Sequence, residues 1–333
     1  MATMGGPDYT IKGADDYTIW TMTVTPFQED GSLDEQALRE LLRRLVAARA
    51  GIYLTCAGAG EAATLTLEEH RRIYDIGVEE AKGKVPVVAN VRPSPTSEDA
   101  YEICKEAIAA GVDEISIYQM LPQLGMVPND RESEKWWSDL LDRVNYPVAI
   151  AFNPQVGYSQ KQSLILKLCE KYEQIVQVNT PPQQLAGSIN QSAPRYETFT
   201  TLRDALPPRV KVAGSLNAFP SHIALGCSGA QLVEPCVIPN ICNGVLDSYR
   251  EGDIPRSREY SQTFQRFTEF CRQWHPATAR WTKMAMKVLG LGNGVLRPPY
   301  LLPGEDDQRR MAEAFTRMGV RELEARALPA LRT

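Results

Sequence analysis

Arg92, Tyr118, Asn153, Asn179 and Glu234 are the residues of this chain whose types and positions could do chemistry, because each falls at or just past the end of a short apolar run. A guanidinium can grip a carboxylate or phosphate through two parallel hydrogen bonds, so Arg92 reads as an anion anchor or else as a solvated loop arginine. Tyr118 could give a proton or hydrogen bond to a developing oxyanion, the alternative being a packed ring with a satisfied hydroxyl. Glu234 could serve as general acid or base if burial raises its pKa toward neutrality, or else form an ion pair at a rim. Asn153 and Asn179 both donate and accept, which suits holding a carbonyl or carboxylate without moving a proton, and equally suits bracing a loop. Phe152 and Ser215 stand at two further run ends and complete the candidate pocket wall. The small-residue turn Ala57-Gly58-Ala59-Gly60 leaves backbone N–H groups that could cradle an anion, with Gly58, Ala59 and Gly60 as the binding positions. Glu61 follows that turn and reads as structural, offsetting a helix dipole or bonding backbone donors.

Other chemistries find little material. Cys56 and Cys236 border the same run ends, but His70, His222 and His275 map to helices or to the tail, so no imidazole stands by to make a thiolate or build a triad. Seven cysteines, an odd number without paired CxxC spacing, suggest neither a disulfide framework nor a zinc site and fit a reducing cytoplasm. Trp136-Trp137, Trp274 and Trp281 fall on helical stretches and read as packing or subunit interface. No metal and no cofactor is expected. A net charge of −5 is dispersed along 333 residues, which argues against nucleic acid or an anionic membrane as partner. No apolar stretch reaches the roughly 20 residues that span a bilayer. A small-molecule carboxylate is the expected ligand.

The elements that must position these residues alternate strand with helix. Strands are predicted at Ile19–Val24, Ile52–Thr55, Val85–Asn90, Glu114–Tyr118, Val148–Phe152, Ile175–Val178, Val210–Ala213 and Ala230–Val233, each followed by a helical stretch. Ser32-Leu33-Asp34-Glu35 offers a capping box ahead of the stripe Leu38, Leu41, Leu42, Leu45, Val46, and Thr66-Leu67-Glu68-Glu69 starts the next helix by the same logic. Eight such units in about 240 residues match a closed (β/α)8 TIM barrel better than an open doubly wound sheet. Residues 1–16 read as a loose arm and 17–252 as the barrel. Residues 253–333 read as a helical extension, with helices near Arg256–Trp274, Ala279–Leu289 and Glu305–Met318 laid on the barrel wall. In such a barrel the active site lies at the carboxyl ends of the strands, where the residues above fall.

Thr25-Pro26-Phe27, Asp30-Gly31-Ser32, Gly60-Glu61, Leu65-Thr66, Phe152-Asn153-Pro154 and Arg297-Pro298-Pro299 occur in an order and at intervals that resemble the dihydrodipicolinate synthase and N-acetylneuraminate lyase family. The resemblance runs from Tyr17 to Val320 and implies the barrel with its helical tail, assembled as a homotetramer. It also implies a strand-six lysine that condenses with the ketone of a 2-oxo acid, and here Asn179 occupies that position. The proton-relaying tyrosine of relatives corresponds to Phe152, and their two threonines ahead of Gly-Glu correspond to Gly58 and Ala59. The tyrosine pair near Pro122 corresponds to Gln123-Leu124, and the arginine after strand five has no counterpart near Gln155–Tyr158. Lys211 opens strand seven at its far end, while Lys283 and Lys287 lie in the tail.

Two functions follow as expectations. One is a lyase acting on a small oxo or hydroxy carboxylic acid without a lysine Schiff base, by retro-aldol cleavage, dehydration or isomerisation. Its residues would be Tyr118, Glu234 and Asn179 for catalysis, with Arg92, Gly58, Ala59, Gly60, Phe152, Asn153 and Ser215 for binding. The other is a non-catalytic barrel that binds a small molecule or serves as an oligomeric partner, as a dimer or tetramer.

Overall fold

In the computed structural model, which describes residues 17–153, 156–179, 201–214, 221–274 and 278–326, eight parallel strands close on themselves. They are β1 (Thr18–Met22), β2 (Gly51–Leu54), β3 (Val87–Val91), β4 (Glu114–Tyr118), β5 (Val148–Ala151), β6 (Ile175–Asn179), β7 (Lys211–Gly214) and β8 (Gly229–Leu232). Each pairs with its neighbour in sequence, and β1 pairs with β8 to complete the ring, with Trp20 opposite Gln231. A parallel barrel buries both faces of every strand, which is why the runs read as near-continuous apolar segments. The predicted strands agree with the observed ones to within about two residues at each end, the usual uncertainty of a strand terminus.

The barrel interior is unusually polar. The Gln177 amide on β6 donates to the Tyr53 hydroxyl on β2 at 2.7 Å and to Asn179 Oδ1 at 2.8 Å, and the Asn179 amide donates to Ser116 Oγ on β4 at 3.1 Å. Side chains on non-adjacent strands meet this way only across the lumen, so these residues point to the axis. Glu114 precedes Ser116 by two positions and shares its face. Its carboxyl is fully buried at the amino end of β4, and neither oxygen has a hydrogen-bond partner. Burial pushes its pKa up to about 8, the nearby Lys211 ammonium opposing the rise.

The helices follow from stripes and caps. α1 (Glu35–Ala47) buries Leu38, Leu41, Leu42 and Leu45 as the spacing predicts. Its cap differs from the expectation. Asp34 accepts the Ala37 N–H, while Ser32 is drawn into a turn by the Asp30 carboxylate. A carboxylate adjacent to the first helical residue outcompetes a hydroxyl two positions further back. α2 (Leu67–Ala81) has the complete predicted box, Thr66 accepting from Glu69 N and Glu69 accepting from Thr66 N. It lies so close to β2 that a Cβ on Gly77 would sit 2.3 Å from Leu54 Cδ1.

After β8 the chain continues in helices Pro239–Arg250, Ile254–Cys271, Thr278–Leu289, Glu305–Arg317 and Val320–Arg326. This tail does more than lie on the wall. Asn293 donates to Phe27 O at 2.8 Å, and Arg297 donates to Gly31 O, to Thr64 O and to the Glu69 carboxylate. It therefore clamps the loops that follow β1 and β2. No helix among the described residues is long and apolar enough to cross a membrane.

Candidate functional site at the barrel mouth

The carboxyl end of β2 is backbone under strain. Thr55 has φ +52°, rare for a β-branched residue and costing about 1–3 kcal/mol. It is held there because its hydroxyl donates to Asn90 O at 2.9 Å and lies 3.0 Å from the Tyr74 hydroxyl, which also donates to Asn90 O. The His70 ring nitrogen Nδ1 lies 3.1 Å from that tyrosine. Burial, assisted by the Arg92 charge, pulls the His70 pKa down to about 4, so the imidazole is neutral at pH 7.

The turn that follows is tight. Gly60 N–H donates to Cys56 O at 2.9 Å, and a Cβ at Gly60 would come within 2.6 Å of Cys56 N. The Gly60 N–H is therefore committed inside the turn, as is that of Glu61, which donates to Gly58 O. The expected anion cradle loses its Gly60 donor for this reason. Exposed Gly58 and buried Ala59 remain beside the mouth. Glu61 bonds a backbone donor, as a structural carboxylate is expected to, and adds a lysine partner that the sequence does not suggest. It caps only the short 3-10 turn Ala62–Thr64, with φ +53°, and its carboxylate forms a buried ion pair with Lys283 Nζ at 2.5 Å while accepting from Arg297 N at 3.1 Å.

Arg92, just past β3, is half-buried. Its Nε is buried without a partner, and among the described residues its guanidinium forms no ion pair. Tyr118 closes β4, and desolvation raises its hydroxyl pKa far above the usual range, so it keeps its proton. Buried Gln119 accepts from Asn153 N at 3.1 Å and donates to Tyr158 O at 2.9 Å, which fixes the loop carrying Asn153. Phe152 packs its ring 5.8 Å from that of Trp137 and donates its N–H to Asn179 O. Ser215 lies outside the described residues.

Asn179 sits at the last position of β6, buried, with both ends of its amide engaged by Gln177, Ser116 and, at 3.4 Å, Tyr53. Glu234 turns away from these groups. Its carboxylate accepts from Val233 N at 3.1 Å and from the Thr268 hydroxyl at 3.4 Å, facing helix Ile254–Cys271, and burial raises its pKa. The seven cysteines are unpaired and buried, with the Cys56 thiol pushed well up by desolvation. No cluster of three potential metal ligands occurs among the described residues.

The structure thus brings Arg92, Tyr118, Asn153, Phe152 and Asn179 to one end of the barrel and sends Glu234 elsewhere. Sequence reasoning missed Tyr53, Ser116, Gln177 and Glu114 in the lumen and Lys283 and Arg297 at the rim. The lumen residues carry a faint signal, polar side chains at alternate positions of otherwise apolar runs. Lys283 carries none and Arg297 only its place in the Arg-Pro-Pro motif, because their partners at the rim lie more than 200 positions away.

Comparison with known proteins agrees with this architecture. The chain is 26% identical over 302 residues to the 4-hydroxy-tetrahydrodipicolinate synthase of Methanothrix thermoacetophila, covering 90% of this chain and 96% of the relative. The crystal structure of dihydrodipicolinate synthase from Aquifex aeolicus superposes with a TM-score of 0.78 at 20% identity, covering 91% of this chain and 98% of that one. YagE, a prophage protein of E. coli K12 solved in complex with pyruvate, does so with a TM-score of 0.78 at 18% identity, covering 91% and 99%. The model of the dihydrodipicolinate synthetase family matches residues 17–318, nearly the whole barrel and tail, and the chain belongs to that family.

Proposed function

We propose that the barrel mouth takes a small oxo or hydroxy carboxylic acid and acts on it as a lyase without forming a lysine Schiff base, by retro-aldol cleavage, dehydration or isomerisation. The observation that carries this reading is the end of β6. Asn179 stands there with its amide tied into the lumen network, and an amide nitrogen has no free pair to attack a ketone. Lys211 is the one lysine within the eight strands, and it opens β7 at the amino end. Lys283 is engaged by Glu61.

In this reading Arg92 receives the substrate carboxylate, because it is a half-buried cation beside the mouth that forms no ion pair among the described residues and has a buried, unbonded Nε. Gly58 and Ala59 offer backbone donors, Asn153 orients the substrate, Phe152 forms the apolar side, and Ser215, the next residue in sequence after β7, is assigned to binding. Tyr118, which holds its proton, stabilises charge developing on the substrate oxygen. Glu234 is left out, since its carboxylate faces Thr268. The chain assembles as a homo-oligomer, dimer or tetramer, which is supported by the loop after β4, where Leu121, Leu124, Met126 and Val127 are all exposed. Its seven free thiols suit a reducing cytoplasm.

Two measurements test the reading. Incubation with pyruvate and borohydride is expected to leave the intact mass unchanged, and a stable adduct on any lysine would sink the Schiff-base-free mechanism. Thermal unfolding against a panel of oxo acids, hydroxy acids and aldehydes is expected to show selective stabilisation by one carboxylate, about 2.7 kcal/mol at a hundredfold excess over Kd. That stabilisation should disappear in Arg92→Ala. No response to any of the acids would favour a non-catalytic partner role.

A further inference from the structure

A second cleft of about 260 Å³, which shares only Gly58 of the β2 turn with the residues assigned to the mouth, lies between that turn with its following 3-10 segment and the start of helix Thr278–Leu289. Its walls are mostly apolar, made by Ala57, Ala63, Ala279, Leu296 and the ring of Tyr300. Two charged groups border it. The Glu61 carboxylate is already neutralised by Lys283 at 2.5 Å and accepts from Arg297 N. The Arg280 guanidinium is not matched. Its Nε is buried without a partner, and among the described residues it forms no ion pair or hydrogen bond. A buried guanidinium donor without an acceptor is costly unless something fills the place.

We propose that this cleft is a binding site for a small monocarboxylate with an apolar body, its carboxylate on Arg280 and its body against Ala63, Leu296 and Tyr300. One unmatched positive charge calls for one negative group. The apolar walls favour a carbon skeleton over inorganic phosphate. The volume is just below the range of pockets that hold drug-sized molecules, which sets the scale at a single ring or a short branched chain. Arg280 also borders a more open groove, lined in part by Asp307, whose carboxylate is paired with Arg310 at 3.0 Å. The inference does not depend on the proposed chemistry at the mouth, because none of its ligand-holding side chains belongs to that site.

Benzoate and its neutral isostere benzamide are the probes, titrated calorimetrically into the full chain. Benzoate is expected to bind saturably, one per chain, at least tenfold more tightly than benzamide. Arg280→Gln is expected to weaken benzoate at least tenfold. Ala63→Leu, a change at an exposed position that narrows the cleft without touching its charge, should weaken benzoate and benzamide alike. The proposal is overturned if the two probes bind equally, if benzoate does not bind, or if either variant binds benzoate as the wild type does. Loss of binding in Arg92→Ala with retention in Arg280→Gln would place the acid at the mouth and overturn it too. Should Arg280→Gln not fold, Ala63→Leu and the benzamide comparison still decide.

Discussion

Glu114→Gln is expected to be more stable than the wild type at pH 9, by up to about 5 kcal/mol, and indistinguishable from it at pH 4. The Glu114 carboxyl is fully buried in the lumen with neither oxygen bonded, and its pKa rises from 4.5 to about 8. An acid whose pKa is higher in the folded than in the unfolded state binds more protons when folded, so stability falls as pH rises between those two values and is level above the upper one. Each pH unit in that window costs about 1.4 kcal/mol, a ceiling that relaxation around the charge lowers. Glutamine keeps the shape and never ionises. The measurement is denaturant unfolding of both proteins from pH 4 to 9. The difference should open between pH 4.5 and 8, and parallel profiles would show that Glu114 does not titrate in the folded barrel as described.

Removing the ammonium from the buried pair at the rim should act in the opposite direction. Lys283→Met is expected to lose about 3–5 kcal/mol, because the Glu61 carboxylate is left buried with, among the described residues, the Arg297 N–H as its remaining donor. Burial already strains this ammonium, pulling its pKa down to about 8 against the pull of Glu61. Lys283 also donates to Val295 O at 2.7 Å and lies 4.3 Å from the centre of the Phe27 ring, so its loss loosens the tail from the β1 and β2 loops. The double variant Glu61→Gln with Lys283→Met should recover much of the loss, since no uncompensated charge remains. A single variant within about 1 kcal/mol of wild type, or a double variant that is worse than the sum of the singles, would refute the account of a mutually dependent pair.

The sequence by itself determined the fold. Alternating apolar runs and amphipathic stripes mark eight strand–helix units, and the Thr66–Glu69 box marks the start of α2, because these signals are local and span only a few residues. It also put the candidate residues at strand ends, where a barrel concentrates its chemistry. Side-chain direction was another matter. Strands buried on both faces do not alternate clearly, so nothing in the runs says that Tyr53, 124 residues from Gln177, meets it across the lumen. Even local order misled where two caps competed, Asp34 displacing Ser32. Glu234 was placed correctly in the chain, yet closure of the tail turned its carboxylate toward Thr268. Lys283 lay in a tail helix by sequence, and docking of that helix carried it to Glu61. Periodicity encodes what a segment becomes, while the pairing of charges and the filling of the lumen are set by contacts between segments, which exist only once the ring has closed.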